Sequence, residues 1–366
     1  MYQEIRIERL SKGGFIMTEH VLFSVSENGV ASITLNRPKA LNSLSYDMLQ
    51  PIGQKLKEWE QDERIELIVL KGAGTKGFCA GGDIKTLYEA RSNEVALQHA
   101  EQFFEEEYEI DTFIYQYKKP IIACLDGIVM GGGVGLTNGA TYRIVTERTK
   151  WAMPEMNIGF FPDVGAAYFL NKAPGYTGRY VALTASILKA PDVLYINAAD
   201  YFMTSDSLPN FLTALENVNW NKEDVHTHLK EVIRTFATAP NLAGNLASSL
   251  EEINSHFAFD TIEGIIQSLE KDQSPFAQTT KEKLLSKSPV SLKVTLKQFI
   301  DGQEKSVEEC FATDLILAKN FLRHEDFFEG VRSVVVDKDQ NPNYKYKQLS
   351  DVSEEDVNRF FNLLNA

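Results

Sequence analysis

The stretch IIACLDGIVMGGGVGLTNGA, residues 121–140, decides how this chain folds. It is mostly apolar and as long as a helix that crosses a membrane. Its composition argues against a span, because Asp126, Asn138 and six glycines fall inside it. A buried strand over residues 121–125, a glycine-rich turn and a short helix beyond Gly131 account for it better. Strand, turn and helix in succession belong to a layered α/β protein.

The flanking sequence repeats that texture. Val30-Ala31-Ser32-Ile33-Thr34-Leu35 alternates as a strand does and ends at Asn36-Arg37-Pro38-Lys39. Residues 45–60 predict a helix, with Ser45 as its cap and Pro51 early enough to be tolerated or to kink it. Residues 65–70 form an apolar β-type run. A glycine-rich loop then reaches Gly82, and a helix follows from about Asp83. Residues 94–117 predict a long helix and residues 142–146 a further strand. Beyond about residue 176 helical periodicity dominates, with a connecting region expected over residues 206–224 and a break near Ser286-Lys287-Ser288-Pro289. Ser333-Val334-Val335-Val336 is a short β-branched run before the turn-rich residues 337–342. The expected organisation is a core carrying the active site over residues 17–215 and a helical region over residues 216–366. Residues 1–16 carry charges throughout and lack an apolar run, so they are not a secretory signal. Lys12-Gly13-Gly14 fit a purine-rich, ribosome-binding-like stretch ahead of Met17, so residues 1–16 read as a non-native extension before a start at Met17.

The chain has 366 residues, 43% of them hydrophobic and 24% charged, as in an ordinary globular protein. A formal net charge of −14 argues against a nucleic-acid partner, since that affinity comes from clustered cations. It leaves room for a local basic pocket for one phosphorylated ligand. Cys79, Cys124 and Cys310 are scattered and odd in number, which fits a reducing cytoplasm and no disulfide framework. His226 and His228 are two apart, so their rings diverge on a helix and no metal site is expected.

Four clusters carry chemistry. Gly72-Ala73-Gly74-Thr75-Lys76-Gly77 fits GxGxxG, but a second turn, Phe78-Cys79-Ala80-Gly81-Gly82-Asp83, intervenes before any helix, which weakens a dinucleotide reading. Met130-Gly131-Gly132-Gly133-Val134-Gly135 is the second glycine loop. Two such loops either supply backbone N–H groups to one oxyanion or make a tight helix–sheet contact. Glu155 and Asp163 are the only charges in an apolar stretch that begins at Trp151, and each follows a proline. Carboxyls among Phe, Met and Ile have raised pKa values suited to acid–base work; a helix cap or a salt bridge is the alternative. Glu107 shares the apolar stripe of Phe103, Phe104 and Ile110 and either meets a ligand or reaches round to water.

Taken together, Asn36-Arg37-Pro38-Lys39-Ala40-Leu41-Asn42, residues 78–83, residues 131–133 and Pro154-Glu155 resemble the crotonase (enoyl-CoA hydratase/isomerase) superfamily. The resemblance implies an α/β fold, a crotonase-like spiral of ββα turns with a mainly helical C-terminal region. It implies an acyl-CoA substrate whose thioester oxygen is held by two N–H groups, those of Ala80 and Gly132 by motif position. Gly81, Gly82, Asp83, Gly131 and Gly133 would contact substrate, and Glu107 would line the acyl pocket. Hydratases of the family carry two catalytic glutamates; one matches Glu155, and the other falls on Gly135. Asp163 stands where hydratases have a small residue. Loss of one acid and gain of another implies thioester hydrolysis, with Glu155 and Asp163 catalytic and no cofactor beyond the CoA of the substrate. Phe103-Phe104-Glu105-Glu106-Glu107-Tyr108, Phe161-Pro162-Asp163-Val164-Gly165, Ser288-Pro289-Val290-Ser291-Leu292-Lys293 and Glu329-Gly330-Val331-Arg332 resemble the acyl-CoA hydrolase branch. No membrane partner is implied, and assembly into an oligomer is open.

Overall fold

The computed structural model describes residues 16–220, 224–241 and 243–363. The expectation for the N-terminal extension therefore falls almost wholly outside the described residues. The chain begins with β1 (Ile16–Thr18), β2 (Val21–Val25) and β3 (Val30–Leu35), then α1 (Tyr46–Gln61), which carries Pro51 within its first turns. Two strands and a helix then recur. First come β4 (Leu67–Gly72), β5 (Gly77–Cys79), the short α2 (Ile84–Tyr88) and the long α3 (Glu94–Tyr115). Next come β6 (Ile121–Leu125), β7 (Ile128–Met130) and α4 (Gly132–Asn138), then β8 (Tyr142–Val145), β9 (Lys150–Ala152) and α5 (Ala166–Phe169). In each turn the first strand joins a seven-stranded sheet ordered β1-β2-β3-β4-β6-β8-β10, β10 being Tyr201–Phe202. The second strand joins a three-stranded parallel sheet, β5-β7-β9. Those three-residue strands are too short for alternation to reveal, so the sequence reading sees only loops there.

Both faces of the large sheet are covered. Ile68 and Leu70 point into the main core, while Leu67 and Val69 point to the other side, as period two requires. On that outer side α8 (Leu208–Leu215) and α9 (Val225–Phe236) bury Leu208, Phe211, Leu215, Leu229 and Ile233 against the strands. The region expected as a connection over residues 206–224 thus contains a covering helix. Its signal is the apolar spacing of Leu208, Phe211 and Leu215, and residues 221–223 lie outside the described residues. Between α5 and α8 run α6 (Thr177–Thr184) and α7 (Ala190–Tyr195).

The remaining chain is helical: α10 (Leu250–Phe257), α11 (Ile262–Lys271), α12 (Pro275–Leu285), α13 (Pro289–Asp301), α14 (Val307–Phe321), α15 (Glu325–Val331) and α16 (Glu354–Arg359). Ser288 caps α13, its hydroxyl accepting from the Ser291 N–H at 3.2 Å and donating to Asp326 Oδ2 at 2.6 Å. Asp326 is fully buried, and its Oδ1 accepts from the Lys345 N–H at 2.7 Å. The Ser288-Pro289 motif therefore fastens α13, α15 and the following chain together. Among the described residues no helix is long and apolar enough to cross a membrane.

Candidate active site

The loops after β5, β7 and β9 converge with α3 on a cavity of about 220 Å³. Ala80, Gly81, Gly82, Glu107, Gly131, Gly132, Glu155 and Asp163 all line it. Phe103, Phe104, Ile158 and Phe160 supply apolar wall, and Phe327, Val334 and Val335 close it from the C-terminal region.

Glu155 opens a 3-10 turn, Glu155–Ile158, directly after Pro154. Its side chain lies against the backbone of Gly131, where a Cβ would sit 2.8 Å from Oε1. Gly131 also has φ +51° and ψ −122°, a conformation essentially restricted to glycine. Oε2 of Glu155 is buried without a hydrogen-bond partner among the described residues. Burial, and then the charge of Asp163, hold this carboxyl well above the ordinary carboxylate range.

Asp163 accepts a hydrogen bond from the Tyr108 hydroxyl at 2.6 Å. Burial pushes its pKa up to about 6, against the downward pull of that bond. The turn that aims it is strained. Val164, a β-branched residue, has φ +50° and is followed by Gly165 at φ +78°. Such a residue costs roughly 1–3 kcal/mol unless its surroundings hold it. Here Gly165 N–H donates to Asp314 Oδ2 at 2.8 Å, and Gln298 Nε2 donates both to Asp314 Oδ1 at 2.8 Å and to the Pro162 carbonyl at 3.0 Å.

Glu107 and Asp111 sit one turn apart on the inner face of α3, both buried. Oε1 of Glu107 and both oxygens of Asp111 lack hydrogen-bond partners among the described residues. The two carboxyls press on the glycines of α4. A Cβ on Gly132 would lie 2.1 Å from Glu107 Oε1, and one on Gly135 would lie 2.2 Å from Asp111 Oδ2 and 2.8 Å from Val164 Cβ. Burial first, and neighbouring carboxylates second, raise both acids well above the usual range. Burial likewise pushes Asp314 up to about 8.

This acid nest has a consequence for stability. Each carboxyl has a folded pKa above its unfolded value, so the folded chain keeps protons that the unfolded chain releases above about pH 4. The stability these groups add is complete below that pH and is lost as the pH climbs through each folded value. For Asp163 the loss runs from about pH 4 and is complete near about 6, and for Asp314 it continues to about 8. The melting temperature is expected to fall from pH 6 to pH 8.5. Asp111→Asn removes one contributor without breaking a hydrogen bond, so it is expected to flatten that fall by up to about 1.4 kcal/mol per pH unit. Melts across this range check it; a variant slope equal to wild type would leave Asp111 out of the titration.

The structure separates the expected site residues. Ala80 borders the cavity, but its N–H donates to the Leu41 carbonyl at 3.0 Å, so it does not match the expected oxyanion donor. The N–H groups of Gly82 and Gly132 have no acceptor among the described residues. Asp83 turns away from the cavity and pairs with Arg37 at 2.9 Å. Gly133 backs onto Cys79, whose carbonyl oxygen would lie 2.6 Å from a Cβ there. Neither lines the cavity, contrary to the expectation for both. The Asn36-Arg37 motif is a fastener: Arg37 also donates to the Ser43 carbonyl, and Asn42 bridges the carbonyls of Ala73 and Gly77. Sequence reasoning missed Tyr108, Asp111 and Asp314. Asp111 carried the same signal as Glu107, an acid on an apolar helical stripe; nothing local distinguishes Asp314.

The enoyl-CoA hydratase/isomerase family model matches residues 30–361. The chain belongs to the enoyl-CoA hydratase/isomerase family. This family member is 41% identical over 338 residues to the protein of Gallus gallus named 3-hydroxyisobutyryl-CoA hydrolase, mitochondrial, covering 92% of this chain and 87% of the relative. The Homo sapiens protein of that name is 40% identical over 361 residues, covering 98% and 92%. Among solved structures, a carnitinyl-CoA dehydratase from Mycobacterium thermoresistibile superposes with TM-score 0.88 at 34% identity, covering 95% of this chain and 98% of that one. An enoyl-CoA hydratase from Rhodobacter sphaeroides 2.4.1 superposes with TM-score 0.84 at 31% identity, covering 94% and 98%. The ββα spiral expected from the sequence is the fold of this enoyl-CoA hydratase/isomerase family member.

Proposed function

We propose that this chain hydrolyses the thioester of 3-hydroxyisobutyryl-CoA to 3-hydroxyisobutyrate and free CoA, a step of valine breakdown. The observation that carries the reading is Glu155 and Asp163 lining one cavity with two N–H groups, Gly82 and Gly132, that have no acceptor in the described protein. The curated relatives at about 40% identity carry the hydrolase name.

Water adds across the acyl carbon–sulfur bond; the acyl group keeps the oxygen and sulfur leaves with a proton. Gly82 and Gly132 hold the thioester oxygen as it becomes negative, Gly82 taking the part expected of Ala80. Glu155 as a carboxylate delivers the attack, on the carbonyl carbon or through a water that it deprotonates. Its raised pKa makes the rate climb with pH as it ionises. Asp163, poised at about 6, passes a proton to the departing sulfur or orients the water. Glu107, whose neutral form burial favours, offers a hydrogen bond to the hydroxyl of the acyl group. CoA enters as part of the substrate and no further cofactor is required. We place the reaction in the cytoplasm, in keeping with three buried free cysteines, although the curated relatives are named mitochondrial.

Hydration of an enoyl thioester is the competing reading, favoured by the names of the two solved structures. Against it, the position of the family's other glutamate is Gly135, and Asp111 and Val164 fill the room a side chain there would need. Thiol release from 3-hydroxyisobutyryl-CoA, measured beside loss of enone absorbance from crotonyl-CoA, separates the two. Thiol release from the hydroxyacyl thioester alone is expected; enone loss without thiol release would overturn the reading. Tyr108→Phe removes a donor from Asp163, which raises its pKa further. Because Asp163 gives its proton in the acid form, the alkaline limb of the pH–rate profile is expected to move to higher pH and kcat to fall about tenfold, the worth of one bond to a charged group. An unmoved limb would take Asp163 out of the titration that the profile reports.

A further inference from the structure

The motif Glu329-Gly330-Val331-Arg332 has no part in the chemistry above, yet it lies between Phe327 and Val334, two residues of one cavity wall. α15 ends there, and the next residues, Arg332–Val336, form a π-helical turn closed by the Asp337 N–H donating to the Arg332 carbonyl at 2.8 Å. Such turns are rare and gather at functional sites. This one puts two consecutive side chains, Val334 and Val335, into the cavity lining beside Phe327.

A single guanidinium holds the turn from both ends. Arg332 donates twice to Glu329, at 2.8 and 2.9 Å, before the turn, and to Asp337 at 2.7 Å and Asp339 at 2.6 Å after it. Paired N–H bonds to a carboxylate fix orientation as well as position. The wall is also seated on the catalytic turn. A Cβ on Gly330 would lie 2.2 Å from the Ile158 carbonyl carbon, so α15 packs backbone to backbone against the turn that Glu155 opens. Valine has few rotamers and yields little to a longer ligand. The cavity, at about 220 Å³, is smaller than the roughly 300–1,000 Å³ typical of drug-sized ligand pockets.

We propose that Val334 and Val335 set the upper size of the acyl group, and that Arg332 is the positioning residue that holds them in the cavity wall. The inference rests on the thioesterase reading. It assigns the choice of acyl chain to the C-terminal region, apart from the groups that carry the reaction.

The test uses the full-length enzyme with 3-hydroxyisobutyryl-CoA and straight-chain 3-hydroxyoctanoyl-CoA. In the double variant Val334→Ala, Val335→Ala, the ratio of kcat/KM for the longer to the shorter thioester is expected to rise at least about tenfold, the low end of what one methylene decides in a fitted pocket. The gain should come through KM. Arg332→Gln is expected to raise the same ratio, which loss of stability alone would not do. A ratio within threefold of wild type in a folded double variant would overturn the proposal. Should that variant not fold, Val335→Ile reads the opposite direction. It is expected to lower kcat/KM for 3-hydroxyisobutyryl-CoA while leaving the smaller 3-hydroxypropionyl-CoA unchanged; an equal effect on both would overturn the proposal. If wild type releases thiol from no thioester, the hydrolase reading falls. The wall is then judged by binding of non-hydrolysable thioether analogues, whose longer members should gain affinity in the double variant; no gain would overturn it.

Discussion

Glu155→Gln is expected to reduce turnover of 3-hydroxyisobutyryl-CoA by at least about 10³-fold, while acyl-CoA binding stays within about threefold of wild type. The substitution keeps the side chain's size and removes only its ability to carry negative charge and accept a proton. Binding survives because burial raises this carboxyl's pKa and favours its neutral form, so a neutral amide changes the resting field little. Oε2 has no hydrogen-bond partner among the described residues to lose, and the close contact of Oε1 with the Gly131 backbone is preserved in shape. Stopped-flow thiol release and equilibrium titration with a thioether analogue measure the two quantities separately. Turnover within tenfold of wild type would remove Glu155 from the reaction. Lost binding with lost turnover would make its role structural.

Gly132→Ala is expected to lower kcat by about 10²–10³, equal to roughly 2.7–4 kcal/mol for one oxyanion donor. The added methyl has no room. Glu107 Oε1 lies 2.1 Å from where it would be and Leu44 Cδ1 lies 3.2 Å away. Glu107 cannot swing into solvent, because it is buried between α3 and α4. Relief comes from turning the Glu107 carboxyl, which lines the same cavity, or from shifting the Gly132 backbone, and either disturbs the place of the thioester oxygen. Gly135→Ala is the control. It meets Asp111 and Val164 behind the site, and its expected cost is stability rather than kcat. A Gly132→Ala enzyme with wild-type kcat would mean that this N–H does not carry the oxyanion.

These expectations differ in how far the sequence could have led to them. Glu155, Asp163 and Glu107 were legible because a charge in an apolar run, or on an apolar helical stripe, is locally conspicuous. Asp111 obeyed the same rule one turn after Glu107. Asp314 could not be read that way: its function is to accept from Gly165, a residue in a distant loop, and no spacing within α14 announces that contact. The proposed oxyanion donors divide likewise. Gly132 was legible as a glycine turn at a strand end. Ala80 was misleading, because motif position says nothing of where an N–H points once the loop is built.

By itself, then, the sequence determined the alternation of strands and helices, the two glycine turns, the acids at 155 and 163, and the family. Each of these rests on short-range pattern, where side-chain period and glycine content act within a few residues. Only the tertiary structure decided which amides are free and which acids share a cavity. The Ala80 N–H is satisfied by Leu41 because residues 41–44 run beside residues 80–83, joined by a parallel bridge between Leu44 and Gly82. The cavity takes its closing wall from Val334 and Val335 because α15 seats on the turn of Glu155. Burial, and with it the raised pKa of every acid in the nest, arises only when those separate layers pack and water is excluded.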